Sequence, residues 1–463
     1  MRRRDLVLGG LRESGTVLAV AGLAGFYAAT LIMTSGLLAT MGEEQDGSIG
    51  MLLGVVSTVF IAIALYVSAV VMTGCVSTVI GGRLRQIATL RLLGADARSL
   101  RRSVCTSCAF AGAVGGALGA LVGVIATSVT RVALVAHGSL PALDYALVEP
   151  LVPLVVLPVA ASAWVAGLLG SRNVLQVSPA AAMTNSAVDV PTRAASRVRA
   201  ATSLLLCLAG GALLPFAVVL GEDGSASGFF AAFAGSALSA AGLLVGAVFL
   251  VPTVVRTLSR LLGSDATTRI ARRNAVADPM RTTRSTLGLI VGVTLVTTFA
   301  SGFAALRQSV TSWDLDAAQR RQADQVLATT STVLICIVVI SCIMAAVGFV
   351  STMSLTVIQR RREIGLLRAL GFTGRQVRTM ITKESIALGA TASIVGIMLG
   401  LLYGSVGAQA LIGSVNEGFV WGVPGPALVA IAACAVILVL VAARPPARRA
   451  VRITPVEALR IEA

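Results

Sequence analysis

The chain has 463 residues, of which 56% are hydrophobic and 13% are charged, with a formal net charge of +16. About one residue in four is charged in soluble domains, so this composition excludes an ordinary soluble protein. Long uncharged runs follow Glu13, Asp223 and Asp324 and contain 29, 32 and 35 residues. Because about 20 helical residues cross the core of a bilayer, each run predicts a membrane-spanning helix.

The chain is predicted to be an all-α polytopic membrane protein with about ten spans. In chain order they lie near residues 14–41, 50–80, 106–130, 150–170, 201–220, 229–255, 285–306, 329–357, 385–412 and 426–443. The first span lacks a small-residue cleavage site and is longer than a signal-peptide core, so we expect it to be retained. The longest loop opposite the termini covers 307–330, which predicts no large extracytoplasmic domain.

The positive charges are crowded into alternate loops. Of the 37 lysines and arginines, 33 fall in loops on the side of the N-terminus, and only Arg131, Arg307, Arg320 and Arg321 fall on the other side. By the positive-inside rule both termini are cytoplasmic, which agrees with the even number of spans. This alternation between crowded and nearly empty loops is explained by membrane topology, so the net charge does not indicate nucleic acid as a partner.

Two cytoplasmic basic segments, 83–107 and 360–384, repeat one pattern at a constant offset of 277 residues. The matched pairs are Ile87/Ile364, Leu90/Leu367, Arg91/Arg368, Gly94/Gly371, Arg98/Arg375 and Arg101/Arg378. The same register continues into the following span, where Gly112, Gly119 and Gly123 match Gly389, Gly396 and Gly400. The chain is therefore predicted to be an internal duplication, with four spans in each half.

An extra pair of spans separates the two halves. We predict a first repeat over 1–185, a central transmembrane pair over 186–265 and a second repeat over 266–463. Each half has four spans, and two further spans lie between the halves. The second half therefore enters the membrane in the same orientation as the first. The repeats are thus parallel, related by an axis along the membrane normal, and both basic segments face the cytoplasm.

The second basic segment is predicted to form two short helices with a break between them. Gly371 stands where a left-handed residue ends a helix. Thr373 with Gln376 three positions later forms a capping-box pattern that starts the next helix. In the first half the corresponding stop and cap are Gly94 and Asp96. A loop that only sets topology is the alternative, but it does not explain why glycine, cap and arginines recur in register.

The spans that enter these segments are unusually long. Residues 47–82 and 325–359 would extend about 54 Å and about 52 Å as helices, which is more than the bilayer thickness. We therefore predict that they project into the cytoplasm as rigid levers and that each basic segment is a docking device.

These segments resemble the FtsX-like permease family, including its MacB-type members, the membrane subunits of type VII ABC transporters. The resemblance rests on EIGLLRALGFTGRQV at 363–377, RRAVRITPVEALR at 448–460 and IARRNAVADPMRTTRSTLGLIVGV at 270–293. It covers both four-span halves. The first half departs from the pattern, because Gln86 and Ala88 replace Glu363 and Gly365, so grip on two partner subunits could be asymmetric.

The resemblance implies that the basic segments are coupling helices seated on a separate ATPase. The implied ATPase-coupling residues are Arg91, Gly94, Asp96, Arg98, Glu363, Gly365, Arg368, Gly371, Thr373 and Arg375. It further implies two copies of an ABC ATPase that hold ATP and magnesium, no cofactor on this chain, and the bacterial cytoplasmic membrane as location. The implied function is export or extraction of an amphipathic substrate, such as an antimicrobial peptide, a lipid-like molecule or a drug.

Overlapping glycine patterns favour close helix packing over a substrate path. The predicted packing residues are Gly112, Gly116, Gly119, Gly123, Gly396, Gly400 and Gly404. Arginines at 269, 272, 273 and 281 beside apolar residues resemble an interfacial helix, which makes membrane lipids a predicted partner. Cys105 and Cys108 form a lone CxxC, which we interpret as small apolar residues rather than a metal site, because zinc needs about four ligands.

The chain lacks a sequence motif for its own energy source. No G-x-x-x-x-G-K-[ST] pattern occurs, since Lys383 is the only lysine and follows Ile381-Thr382. The predicted spans contain no acidic residue or lysine suited to a proton relay. We therefore expect a separate protein to supply the energy, and we expect no catalytic residue in this chain. Two alternatives remain, a transmembrane relay to an external partner such as a cell-wall hydrolase, and an ion-driven secondary transporter.

Overall fold

The computed structural model describes residues 11–43, 96–136, 148–176, 193–225, 227–258, 265–277, 279–312, 361–415 and 418–451, with the single positions 59, 63, 66, 316, 320, 327 and 331. Within these residues the regular structure is helical, as predicted, and contains no β-strand. Ten α-helices follow one another there: α1 Leu11–Glu43, α2 Ala97–Ala136, α3 Val156–Gln176, α4 Arg193–Glu222, α5 Ser227–Leu258, α6 Ala266–Ala277, α7 Pro279–Ser312, α8 Arg361–Ala369, α9 Gly374–Ile412 and α10 Gly425–Val451. Short 3-10 turns at Pro153–Val155 and Gly413–Val415 precede α3 and follow α9.

Six of the described helices, α1, α2, α4, α5, α7 and α9, are long and apolar enough to cross a membrane. Two shorter apolar stretches, Pro153–Leu168 and Gly425–Val441, form most of α3 and α10. These eight helices coincide with eight of the predicted spans, and the chain is a multi-pass membrane protein. The predicted spans near 50–80 and 329–357, and the lever extensions of both, lie outside the described residues apart from single positions.

The two halves pack their helices in the same pairs. In the first half α2 packs against α1 and α3, and in the second half α9 packs against α7 and α10. Helices α2 and α9 begin 277 positions apart, at Ala97 and Gly374. The first-half core is formed by buried residues of α1, α2 and α3, and Phe299 of α7 joins it, so the two halves meet at this core.

Glycines allow the backbones of α1 and α2 to approach closely. A Cβ added at Gly119 would overlap the carbonyl group of Gly22 in α1. On another side of α2, a Cβ at Gly112 would lie 2.7 Å from the Cβ of Ala163 in α3. The other glycines predicted to pack in this half, Gly116 and Gly123, lie against Val159 of α3 and Phe26 of α1.

The second half contains the equivalent contacts between α9 and α7. A Cβ at Gly396 would lie 2.8 Å from the Cβ of Val293, and one at Gly400 would lie 2.7 Å from the carbonyl oxygen of Thr294. Gly404 lies against the next turns of α7. All seven glycines singled out in the sequence therefore stand at helix crossings, and at every one except Gly116 an added Cβ would lie less than 3 Å from a neighbouring helix.

The central pair α4 and α5 packs against the second half. The Ser239 hydroxyl of α5 lies 2.8 Å from the Tyr403 hydroxyl of α9, in a buried hydrogen bond. Two positions earlier, the Ala237 carbonyl accepts a hydrogen bond of 3.2 Å from the hydroxyl of Tyr66, which belongs to the first half. Helix α5 thus touches both halves through neighbouring residues.

Cys105 and Cys108 lie on the packed side of α2. Both side chains are buried. A Cβ added at Gly167 of α3 would lie 3.2 Å from the Cα of Cys105, so this part of α2 is held tightly against α3. The two cysteines act there as small residues of a packed interface.

Candidate functional site

The second basic segment forms a sharp corner, here called the elbow and defined as residues 361–378. Helix α8 ends in a Schellman motif. The amide of Phe372 donates to the carbonyl oxygen of Leu367 at 3.0 Å, and the amide of Gly371 donates to that of Arg368 at 3.1 Å. Gly371 has φ +96°, which confirms the predicted left-handed stop. Since a Cβ there would meet nothing within 4 Å, glycine is required by backbone conformation alone.

The predicted capping box at the start of the next helix is also confirmed. The amide of Gln376 donates to the Thr373 hydroxyl at 3.3 Å, and the Thr373 amide donates to the Gln376 side-chain oxygen at 2.8 Å. The prediction that this helix is short is wrong. Helix α9 runs without a break for 39 residues from Gly374 to Ile412, because no proline interrupts it and its apolar face stays buried along its length. The elbow is therefore joined directly to a membrane-crossing helix.

One face of the elbow packs against the neighbouring helices α5, α6 and α7. Ile364 of α8 and Val377 of α9 are buried on this face, and Met380, just beyond the elbow in α9, is buried beside them. Their core partners are Val251 and Val255 of α5, Ala271 of α6, and Leu289 and Ile290 of α7. Phe372 and Leu367, the pair that closes the Schellman motif, pack against the same core. Burial on this side fixes the direction in which the corner points.

The opposite face of the elbow is exposed. The exposed fractions of Leu366 and Leu370 are 53% and 73%. The predicted coupling residues Glu363, Thr373 and Arg375 are exposed as well, whereas Arg368 is half-buried and Gly365 is buried. The result is an exposed surface of two leucines flanked by charged side chains. Exposed apolar side chains rimmed by polar ones are typical of an interaction site.

The first half contains a helix cap equivalent to the one at Thr373. Asp96 caps α2, because its carboxylate accepts a hydrogen bond of 3.1 Å from the amide of Ser99. Arg98 is exposed beside this cap, and Leu100 is buried in the first-half core. The predicted coupling residues Arg91 and Gly94 lie outside the described residues.

A polar clasp behind the elbow was not predicted from the sequence. The Lys383 ammonium donates to the Asp265 carboxylate at 2.9 Å and to the Thr268 hydroxyl at 2.7 Å, with the Thr267 hydroxyl at 3.5 Å. Asp265 precedes α6, so the clasp ties α9 to this short amphipathic helix. Lys383 corresponds to Thr106 in the first half, which makes the clasp specific to the second.

Glu384 is a second residue that the sequence did not single out. It lies one position before the predicted span 385–412, yet its exposed fraction in α9 is only 6%. The spans were predicted to contain no buried acidic residue, and Glu384 escaped that prediction only because the span was predicted to begin at residue 385. The helix is longer than predicted, so Glu384 is part of the packed second half.

The clasp predicts a stability difference that depends on pH. The hydrogen bond from Lys383 and its positive charge lower the pKa of Asp265 below its ordinary value. Ionised Asp265 therefore stabilises the fold above about pH 4, the ordinary range for aspartate, and this contribution is lost as the pH falls through the lowered pKa. We expect Asp265→Asn to melt below the wild type at pH 7 and to match it in strong acid.

The difference is expected to be small and sensitive to salt, because Asp265 is exposed. Thermal melts of the wild type, Asp265→Asn, Lys383→Met and the double variant at both pH values measure it as a double-mutant cycle. Additive effects at pH 7, or an equal gap at both pH values, would show that the ion pair contributes nothing.

Comparison with known sequences agrees with this architecture. The family described as FtsX-like permease C-terminal matches the chain twice, at residues 58–179 and 335–455. The two matches begin 277 positions apart, at the offset of the repeat, and together cover just over half of the chain.

Three curated relatives illustrate the similarity. The pyoverdine export ATP-binding/permease protein PvdT of Pseudomonas putida is 36% identical over 132 residues, which are 28% of this chain and 19% of that protein. The macrolide export ATP-binding/permease protein MacB of Nitrosomonas europaea is 33% identical over 134 residues, 29% of this chain and 19% of its own length. An uncharacterized ABC transporter permease of Methanocaldococcus jannaschii is 30% identical over 152 residues, 30% of this chain and 37% of the relative.

The matched part of this chain spans only about a fifth of the two export proteins. The family itself is established by the double match, by the helical membrane architecture, and by the elbow with its confirmed glycine stop and capping box. The chain belongs to the FtsX-like permease family.

Proposed function

We propose that this protein is the permease subunit of an ATP-driven ABC transporter and that a separate ATPase dimer docks on its two basic segments. The observation that carries the proposal is the elbow, an exposed surface with Leu366, Leu370 and Arg375 on a corner continuous with a membrane-crossing helix. A push on Arg375 acts on α9 itself, and a push on the two leucines reaches α9 through the hydrogen-bonded corner at Gly371–Thr373. Docking is the first property to test, because transmission of a stroke requires that the motor binds this surface.

The construction of the elbow supports a mechanical role. Its inner face is packed against α5, α6 and α7, and its outer face is exposed. The Lys383–Asp265 clasp ties α9 to α6. A displacement of the elbow would therefore move α5, α6 and α7 together with α9.

We further propose that one chain takes the place of a permease dimer, with the repeats over 1–185 and 266–463, the central pair over 186–265, and both termini in the cytoplasm of a bacterium. ATP and magnesium are held by the ATPase, and this chain contributes no catalytic residue. The two repeats would grip their ATPase copies unequally, because only the second has Glu363, Gly365 and the Lys383 clasp.

Export or extraction of an amphipathic molecule is the proposed activity, with an antimicrobial peptide, lipid-like molecule or drug as substrate class. The relatives whose names mention pyoverdine and macrolide export support the outward direction.

Stoichiometry tests the proposal directly. Two docking segments on one chain predict a purified complex with two ATPase subunits for each copy of this protein, measurable by native mass spectrometry of the complex in detergent. A complex with two copies of this chain and two ATPases would contradict the single-chain pseudo-dimer. Failure to retain any ATPase under conditions that preserve the membrane fold would contradict the permease assignment.

A further inference from the structure

The segment Gly418–Pro424, which connects the helical turn after α9 to the start of α10, carries exposed aromatic and aliphatic side chains. The exposed fractions of Trp421 and Val423 are 57% and 58%, and Phe419 is also exposed. The rings of Phe419 and Trp421 lie edge to face with centroids 5.0 Å apart, an arrangement that aromatic pairs favour. We call this segment the aromatic loop.

Buried polar side chains hold the backbone of the aromatic loop in place. The Ser301 hydroxyl of α7 donates to the Gly422 carbonyl oxygen at 2.6 Å, and the Gly422 amide donates to the Ser405 hydroxyl at 3.1 Å. Gln409 donates to the Gly418 carbonyl oxygen at 3.1 Å. Buried irregular backbone requires such partners, because an unpaired buried N–H or C=O group is costly. The exposed rings are therefore carried on a fixed support.

Helix lengths place the aromatic loop at one surface of the bilayer. Ser405 follows Lys383 by 22 residues, about 33 Å at 1.5 Å per residue. Ser301 follows Arg284, the last charged residue before the apolar run of α7, by 17 residues, about 26 Å, and Arg444 follows Gly425 by 19 residues, about 29 Å. All three distances lie within a few ångströms of the hydrocarbon thickness of about 30 Å. The loop thus lies one bilayer thickness away from the basic residues near the elbow.

The exposed side chains of the loop continue into the exposed apolar stripe of α10. Val429, Val436, Ile437 and Val441 are exposed at helical spacing on that helix. In a membrane-crossing helix such a stripe faces lipid. Tryptophan is enriched where the apolar region meets the headgroups, since its ring is amphipathic.

We propose that Phe419, Trp421 and Val423 insert into the bilayer interface on the side opposite the elbow and anchor the second half there. The occupant of this surface is lipid, because the surface is continuous with the lipid-facing side of α10 and lies at headgroup depth. Through Ser301, Ser405 and Gln409, the anchor holds the adjoining turns of α7 and α9 at a fixed depth in the bilayer.

Tryptophan fluorescence of the full chain in phosphatidylcholine vesicles tests the anchor. The chain has three tryptophans, so Trp164→Phe with Trp313→Phe leaves Trp421 as the only reporter. We expect lipids brominated near the headgroup end of the acyl chains to quench it severalfold more than lipids brominated near the methyl end. The matched control retains only Trp164, which is exposed on α3 and lies eight residues, about 12 Å, before Arg172. It should show the deeper quenching profile.

Two results would overturn the anchor. Quenching of Trp421 by aqueous acrylamide but not by brominated lipid would show that the ring faces water, and resistance to both would show that a protein segment covers it. The support is tested by adding Gly422→Ala to the Trp421 reporter, since a Cβ there would lie 2.9 Å from the Ala305 Cβ and would displace the ring. Gly425→Ala is the control, because its Cβ meets nothing within 4 Å. Equal quenching profiles for these two variants would exclude the proposed support.

Discussion

Replacing Gly371 by valine should leave this protein inserted in the membrane while it weakens the proposed ATPase docking or uncouples ATP hydrolysis from transport. The left-handed backbone at Gly371, with φ +96°, costs a β-branched residue at least about 1–2 kcal/mol. No atom lies within 4 Å of the added Cβ, so the change acts only on the direction of the elbow. Retention of the ATPase on purification and substrate-stimulated ATP hydrolysis measure the result.

Two controls separate conformation from bulk. Gly211→Val adds the same side chain in open space on the helical backbone of α4 and should preserve docking. Gly371→Asn should recover much of the function, because asparagine tolerates the left-handed region better than other residues. If Gly371→Val docks and turns over at the wild-type level, the elbow only sets topology. Gly94→Val tests the first half, where we expect a similar but unequal effect.

Replacement of Gly119 by alanine should strongly destabilise the first half, although it adds only one methyl group. The new Cβ would overlap the Gly22 carbonyl group of α1, and helix backbones in contact cannot move apart without losing their shared packing. Overpacking typically costs about 1–3 kcal/mol, and we expect the upper part of that range or more. Thermal unfolding in detergent and the monodisperse fraction after gel filtration measure the loss.

A graded series tests whether the collision is the cause. In Gly116→Ala the nearest atom is the Val159 side chain at 3.2 Å, which can adjust, so its melting temperature should fall between those of Gly119→Ala and the wild type. Gly211→Ala meets nothing within 4 Å and should be neutral or slightly stabilising, because alanine is the better helix former. Equal melting temperatures for Gly119→Ala and Gly211→Ala would rule out the close approach of α1 and α2.

Local chemistry explains why the elbow could be predicted. The stop at Gly371 and the box between Thr373 and Gln376 depend on backbone conformation and on residues three positions apart. The apolar runs likewise predict spans from their length alone. The length of α9 was underestimated, because the basic residues between Gly374 and Glu384 interrupt the apolar run although the helix itself continues.

Contacts between distant segments depend on which helices pack together, and a single sequence does not reveal that choice. The glycine patterns indicate close packing, yet only the tertiary structure shows that Gly119 meets α1 and Gly112 meets α3. The Lys383–Asp265 clasp joins residues 118 positions apart, and Ser301 reaches Gly422 across 121. Such pairs form only after their helices have packed, because a side chain bonds whatever polar group the assembled fold brings within about 3 Å.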